Sequence, residues 1–163
     1  MSNRIMRAAL SAALTCGALA MAVPAVAALG GVPTPPPAGA VSSPGNAVVH
    51  AASGVAGATS FTVTQTTYAN GTVVREYVSA AGAVFGIAWN GPFMPNLSVL
   101  LGTYFTQYDS ARVAQRAAAP GRGPLNVELP GLVVHSGGHM GAFSGQAYLP
   151  QSLPIGVTAD DIQ

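Results

Sequence analysis

The residues best suited to chemistry in this chain are the run His135-Ser136-Gly137-Gly138-His139. Two imidazoles beside a turn could share a metal ion, and a serine next to a histidine could act as a nucleophile beside its base. Loop length decides between these uses. With Gly137-Gly138 as a two-residue loop, Ser136 faces His139 and His135 faces Met140, so the imidazoles point to opposite sides. A three-residue loop from Ser136 to Gly138 sets His135 across from His139, but that arrangement is short of further ligands. The chain's one cysteine is Cys16 and its carboxylates are few. A Gly-x-Ser-x-Gly elbow is absent, since Ser136 follows a histidine inside a hairpin. The plainer reading is a hairpin turn exposed to water.

Glu76 is the second candidate. In the register set out below it falls on the apolar side of a sheet, between Gln65 and Ile87 and flanked by Val74 and Val78. Burial there would raise its pKa and suit it to act as acid, base or ligand. The structural alternative is a pair with Gln65 or with a helix arginine such as Arg112. Glycoside cleavage by paired carboxylates finds no support, because Glu76, Asp109, Glu128, Asp160 and Asp161 fall on separate elements. Tyr68 and Tyr77, with Arg75, fall on the opposite side of the sheet, an aromatic and small-residue surface suited to docking a protein or a glycan.

Three strands, a helix and three more strands must position these groups. Phe61, Val63, Thr64, Thr66, Thr67 and Tyr68 supply β-branched and aromatic residues before Asn70-Gly71, a strong two-residue hairpin signal. Thr72 to Ser79 returns, Ala81-Gly82 turns again, and Ala83 to Asn90 follows. Two-residue loops at both turns pair Val63 with Val78, Thr67 with Val74, Val78 with Phe85 and Val74 with Trp89. That places Phe61, Val63, Val74, Val78, Phe85, Ile87 and Trp89 on one face. Asn96 then caps a helix whose stripe is Leu97, Leu100, Leu101, Tyr104, Tyr108 and Ala111, with Asp109 near Arg112 and a stop at Pro120-Gly121. Strands at Leu125 to Leu129, Leu132 to Ser136 and His139 to Leu149 follow, joined by Pro130-Gly131 and Gly137-Gly138. The order predicts one α+β domain over 60–150. It consists of an antiparallel meander of three strands, one amphipathic helix packed on one sheet face, and a second group of about three short strands joined edge to edge with the first. A tail over 151–163 ends in Thr158-Ala159-Asp160-Asp161, a helix-start signature.

Residues 1–27 read as an export signal. Arg4 and Arg7 precede the apolar run Ala8 to Val23, and Ala25-Val26-Ala27 is a small-x-small cleavage site. The expected product begins near Ala28, is periplasmic or extracellular, and lacks cysteine, so its fold holds by packing alone. Thr15 beside Cys16 disfavours lipid attachment there. No apolar segment after Ala27 approaches the ~20 residues needed to span a bilayer. Residues 28–59, rich in Pro, Gly, Ala and Ser and free of charge, read as a flexible tether, with His50 a solvated bystander. Beyond the leader, four arginines face five acidic side chains and no lysine occurs. Nucleic acid is therefore an unsuitable partner. With charged residues at 7% of the chain, little repulsion opposes association with itself or with an envelope surface.

Ala-Leu-Gly-Gly at 28–31, Gly-Thr-Val-Val-Arg-Glu-Tyr-Val at 71–78, Leu-Leu-Gly-Thr-Tyr-Phe at 100–105 and Gly-Gly-His-Met-Gly-Ala-Phe-Ser-Gly-Gln-Ala-Tyr-Leu-Pro at 137–150 resemble an exported bacterial family catalogued as domain of unknown function 2844. The resemblance implies no activity, catalytic residue or cofactor. The residues themselves favour a non-enzymatic envelope module that binds a protein or surface through its meander. The alternative is a small hydrolase or metal-dependent enzyme using Ser136, His139 and Glu76.

Overall fold

Seven antiparallel strands form one sheet in the computed structural model, which describes residues 29–50, 59–121 and 123–163. They are β1 (Val41–His50), β2 (Thr59–Thr67), β3 (Val73–Ser79), β4 (Val84–Gly91), β5 (Leu125–Leu129), β6 (Leu132–His139) and β7 (Ala142–Tyr148). Across the sheet they run β1-β2-β3-β4-β7-β6-β5, so two meanders meet edge to edge where β4 pairs with β7. Between the meanders the chain is helical: α1 (Leu97–Leu101), a 3-10 turn at Gly102–Tyr104, and α2 (Phe105–Ala118). The architecture is α+β, with a first meander of four strands instead of three. The leader read at 1–27 lies outside the described residues.

The extra strand comes from the stretch expected to be a tether. β1 has no alternating apolar pattern, but β2 offers it an edge of unpaired N–H and C=O groups, and ladder bonds need no particular side chains. Pro44, which lacks an N–H, is tolerated because the register shifts between Ser43 and Asn46 on this outermost strand. His50 ends β1, its backbone opposite Thr59. Ahead of β1, residues 29–40 run as a strap along the molecule. Leu29 is buried in the core, its N–H bonded to the Leu100 carbonyl at 2.9 Å. Gly30 and Gly31 exchange backbone bonds with Val84 at 2.8 and 2.7 Å.

Two turns set which side chains face which way. Tyr68 closes onto Thr72 across Ala69-Asn70-Gly71, and Ser79 onto Ala83 across Ala80-Ala81-Gly82, so both loops hold three residues instead of two. The third residue of each is a glycine at φ +84° and +81°, the left-handed conformation that a three-residue hairpin requires. At the second turn a bulge absorbs the extra residue: Val78 opposes Val84, Tyr77 opposes Gly86, and Phe85 is left over. Val74 therefore still opposes Trp89, as expected. At the first turn nothing compensates. Val63 opposes Tyr77 instead of Val78, and all of β2 is turned over relative to the expected register.

Two cores result, one on each face. On the helix face Leu100, Leu101 and Tyr108 pack with Val74, Ile87, Trp89, Val134 and Ala147. Asn96 caps α1 as expected, its side-chain oxygen accepting the Ser98 N–H, and Arg112 pairs with Asp109 on the exposed side of α2. On the second face Phe61, Tyr77, Phe85 and Ala88 pack under Val157 and Ile162. The stretch read as a tail thus closes a core. Ile162 is fully buried, and a Cβ on Gly86 would lie 2.7 Å from its Cδ1, so the glycine leaves the room it occupies. Thr158 and Asp161 form the capping box that their spacing implied.

Candidate functional site

The run His135 to His139 is strand, not turn. Gly137 and Gly138 oppose Ser144 and Phe143, and the hairpin closes beyond them at Met140-Gly141, where His139 opposes Ala142. Strand alternation then puts His135 and Ser136 on opposite faces. Three residues of extended chain lie between His135 and His139, four steps spanning about 13 Å, too far to share an ion. Ser136 opposes Leu125 and Gly145 on the helix face, where it lines a hollow together with Tyr108. His139 is exposed, its Nδ1 3.1 Å from the Met140 carbonyl oxygen. Among the described residues no three His, Cys, Asp or Glu side chains gather to hold a metal.

Glu76 is on the helix face, 2% exposed, as its place between Val74 and Val78 implied. Its strand neighbours are Thr64 and Ile87 instead of Gln65 and Ile87, and Gln65 bonds Arg75 instead. The strap meets its carboxylate: the Thr34 N–H donates to Oε1 at 3.0 Å and to Oε2 at 3.2 Å. Burial pushes the Glu76 pKa up, and the Thr34 hydrogen bonds offset part of that rise. Glu76 also raises the pKa of Tyr68, whose own burial is the larger cause. Three strand spacings of ~4.8 Å separate β3 from β6, and Ser136 lies two residues out of register with Glu76, so the two stand roughly 16 Å apart, and His139 lies farther still. The structure does not bring Ser136, His139 and Glu76 together.

The turned-over β2 also divides the expected docking surface. Tyr68 packs on the helix face, while Tyr77 and Arg75 lie on the second face. Tyr77 is buried, its hydroxyl donating to the Gln163 carbonyl at 2.8 Å and accepting the Gln163 N–H at 2.9 Å. Arg75 is held by Gln65 Oε1 at 3.2 Å and the Gln163 carbonyl at 3.1 Å.

What remains open on that face is a row of polar side chains crossing the join between the meanders. Successive cross-strand partners are Gln65, Arg75, Ala88, Gln146, His135 and Asn126, and directly opposed residues share a face. A second row runs through Asn90, Ser144 and Gly137. The C-terminal segment packs at Ala88, and beside it a groove of about 560 Å³ opens over Arg75, Asn90, Asn126, His135, Ser144 and Gln146. Its floor is low at Gly137, which carries no side chain. Gly145 is fixed from the other side, where Trp89 packs so closely that a Cβ would lie 2.4 Å from its Cζ2. His135 Nε2 sits 3.3 Å from Glu128 Oε1 at the rim. The groove thus presents amides, a hydroxyl, an imidazole and one anchored guanidinium, a set that exchanges hydrogen bonds with an uncharged polar ligand. The alternating Asn126 and Glu128, and Ser144 and Gln146, are its signal in the sequence. The row became visible only once the strand order was known.

The chain belongs to the family described as protein of unknown function (DUF2844), whose model matches residues 25–162. Neither the curated proteins nor the solved structures yielded a match. Among the described residues no helix is long and apolar enough to cross a membrane.

Proposed function

We propose that the chain is an exported, non-enzymatic binding module of the cell envelope, and that the groove over Gln146, His135 and Asn126 takes a hydroxyl- and amide-rich glycan. The polar row across β4, β7, β6 and β5 carries this reading: its side chains donate and accept without concentrated charge, beside a floor that Gly137 keeps free of a side chain. Support against catalysis comes from the separation of Ser136, His139 and Glu76, since acid–base and nucleophilic chemistry needs its groups within direct or one-water reach. Export rests on the leader pattern of residues 1–27. Fractionation with N-terminal sequencing should recover protein beginning near Ala28 outside the cytoplasm. Recovery of the intact leader in the cytosol would contradict export. Calorimetric titration with soluble cell-wall oligosaccharides should show binding that Asn126→Ala with Gln146→Ala abolishes, and the oligosaccharides should be returned uncut. Cleavage by the wild-type protein that His139→Ala or Ser136→Ala removes would restore the hydrolase alternative.

A further inference from the structure

One end of the sheet carries apolar side chains that the fold leaves uncovered. Gly91 opposes Phe143, so the loop of residues 92–95 and the Met140-Gly141 turn stand side by side. A depression lined by Pro92, Gly141, Ala142 and Phe143 joins them. Met140 is 94% exposed, Phe93 56% and Met94 40%. Four other large apolar side chains are exposed among the described residues, Val32, Val41, Val113 and Ile155, but they lie on separate elements. Only here do several protrude from adjoining loops.

Two arginines flank this end. Met94 and Phe143 line a common hollow with Arg112 and Arg116 of α2. Arg112 shares its charge with Asp109, whereas Arg116 donates to the carbonyls of Gly121 and Gly123, both at 2.7 Å, and keeps its full charge. Glu128 and Asp160 act on Tyr148, at the opposite end of β7, and Glu76 is buried. Charge is therefore graded along the strands, positive where the apolar tips project.

We infer that this end docks on an anionic lipid surface, Phe93, Met94 and Met140 entering the interfacial layer while Arg112 and Arg116 meet headgroup phosphates. Short prongs flanked by two arginines suit a soft interface, where apolar groups sink below the level of the charges. A protein partner would call for a continuous, closely packed patch. The inference does not depend on the groove, which opens on the second face.

Flotation with phosphatidylglycerol-containing vesicles tests it, using protein that begins at Ala28, because the apolar leader would itself enter lipid. Wild-type protein should float with these vesicles, far less with pure phosphatidylcholine vesicles, and less again as salt rises. Phe93→Ser with Met140→Ser should lower the bound fraction roughly tenfold. Arg116→Gln should lower it too, while Arg116→Lys retains binding, and unchanged thermal unfolding would verify the fold of each variant. Absence of wild-type flotation, or equal flotation by the Ser variants, would overturn the inference. So would a dimer in light scattering that Phe93→Ser with Met140→Ser dissolves in the absence of vesicle binding, which would assign the patch to self-association.

Discussion

Glu76 shows how a single side chain can tie a distant segment to the sheet. Its carboxylate lies among Val74, Val78 and Ile87, and the Thr34 N–H that meets it brings in the strap more than forty residues earlier. The position was legible from alternation along β3, whereas the partner was not, because nothing in a Pro-rich stretch marks one backbone N–H. Because burial raises the folded pKa above the ordinary value of 4.5, at pH values between the two the folded state holds a proton that the unfolded chain has released. Stability from this group is therefore full below about pH 4.5 and is lost as pH rises through the folded pKa. Urea unfolding at a series of pH values should show this decline in the wild type and a flatter profile in Glu76→Gln. Equal slopes in the two proteins would deny the carboxylate this role. Gly145 makes a second test at this scale. Gly145→Ala drives a methyl into Trp89 and should cost ~1–3 kcal/mol. Since Trp89 is the one tryptophan of the chain, the shift of its emission reads the displacement directly.

Elements were legible where periodicity is strong and obscure where turn length decides. The helix stripe from Leu97 to Tyr108, its Asn96 cap, and the strand Leu125 to Leu129 stand where the pattern put them. Asn70-Gly71 reads as a two-residue turn, yet Ala69 joins it and the glycine takes the left-handed corner of a three-residue loop. One residue of loop turned over β2, moving Phe61 and Val63 to the second face and Tyr68 to the helix face. The Gly-Gly pair at 137–138 misled in the opposite sense. It reads as a turn but serves as strand, with Gly137 flooring the groove and Gly138 beside Phe143 on the helix face. The C-terminal segment lacks periodicity altogether, and its role is fixed by two buried anchors, Val157 and Ile162. Ile162→Ala should destabilise the protein by ~2–5 kcal/mol. It should also raise binding of an apolar dye, as Phe61, Tyr77 and Phe85 lose their cover. A variant with wild-type stability would show that the segment is not part of the core.

At the scale of the whole molecule, two meanders joined at β4 and β7 create a face that neither has alone. The join was inferable, because each meander ends in an apolar-patterned strand that needs a neighbour. The polar row across it was not, since it depends on the register of five strand pairs at once. The C-terminal segment covers the aromatic half of that face and leaves the amide-lined half open. The most direct test of the proposed function is a nuclear magnetic resonance titration of isotope-labelled protein, beginning at Ala28, with soluble cell-wall oligosaccharides. The account predicts saturable shifts centred on Asn90, Asn126, His135, Ser144 and Gln146, with Thr34, Glu76 and the helix stripe unmoved. Shifts confined to other surfaces, or none up to the solubility limit of the oligosaccharides, would contradict it.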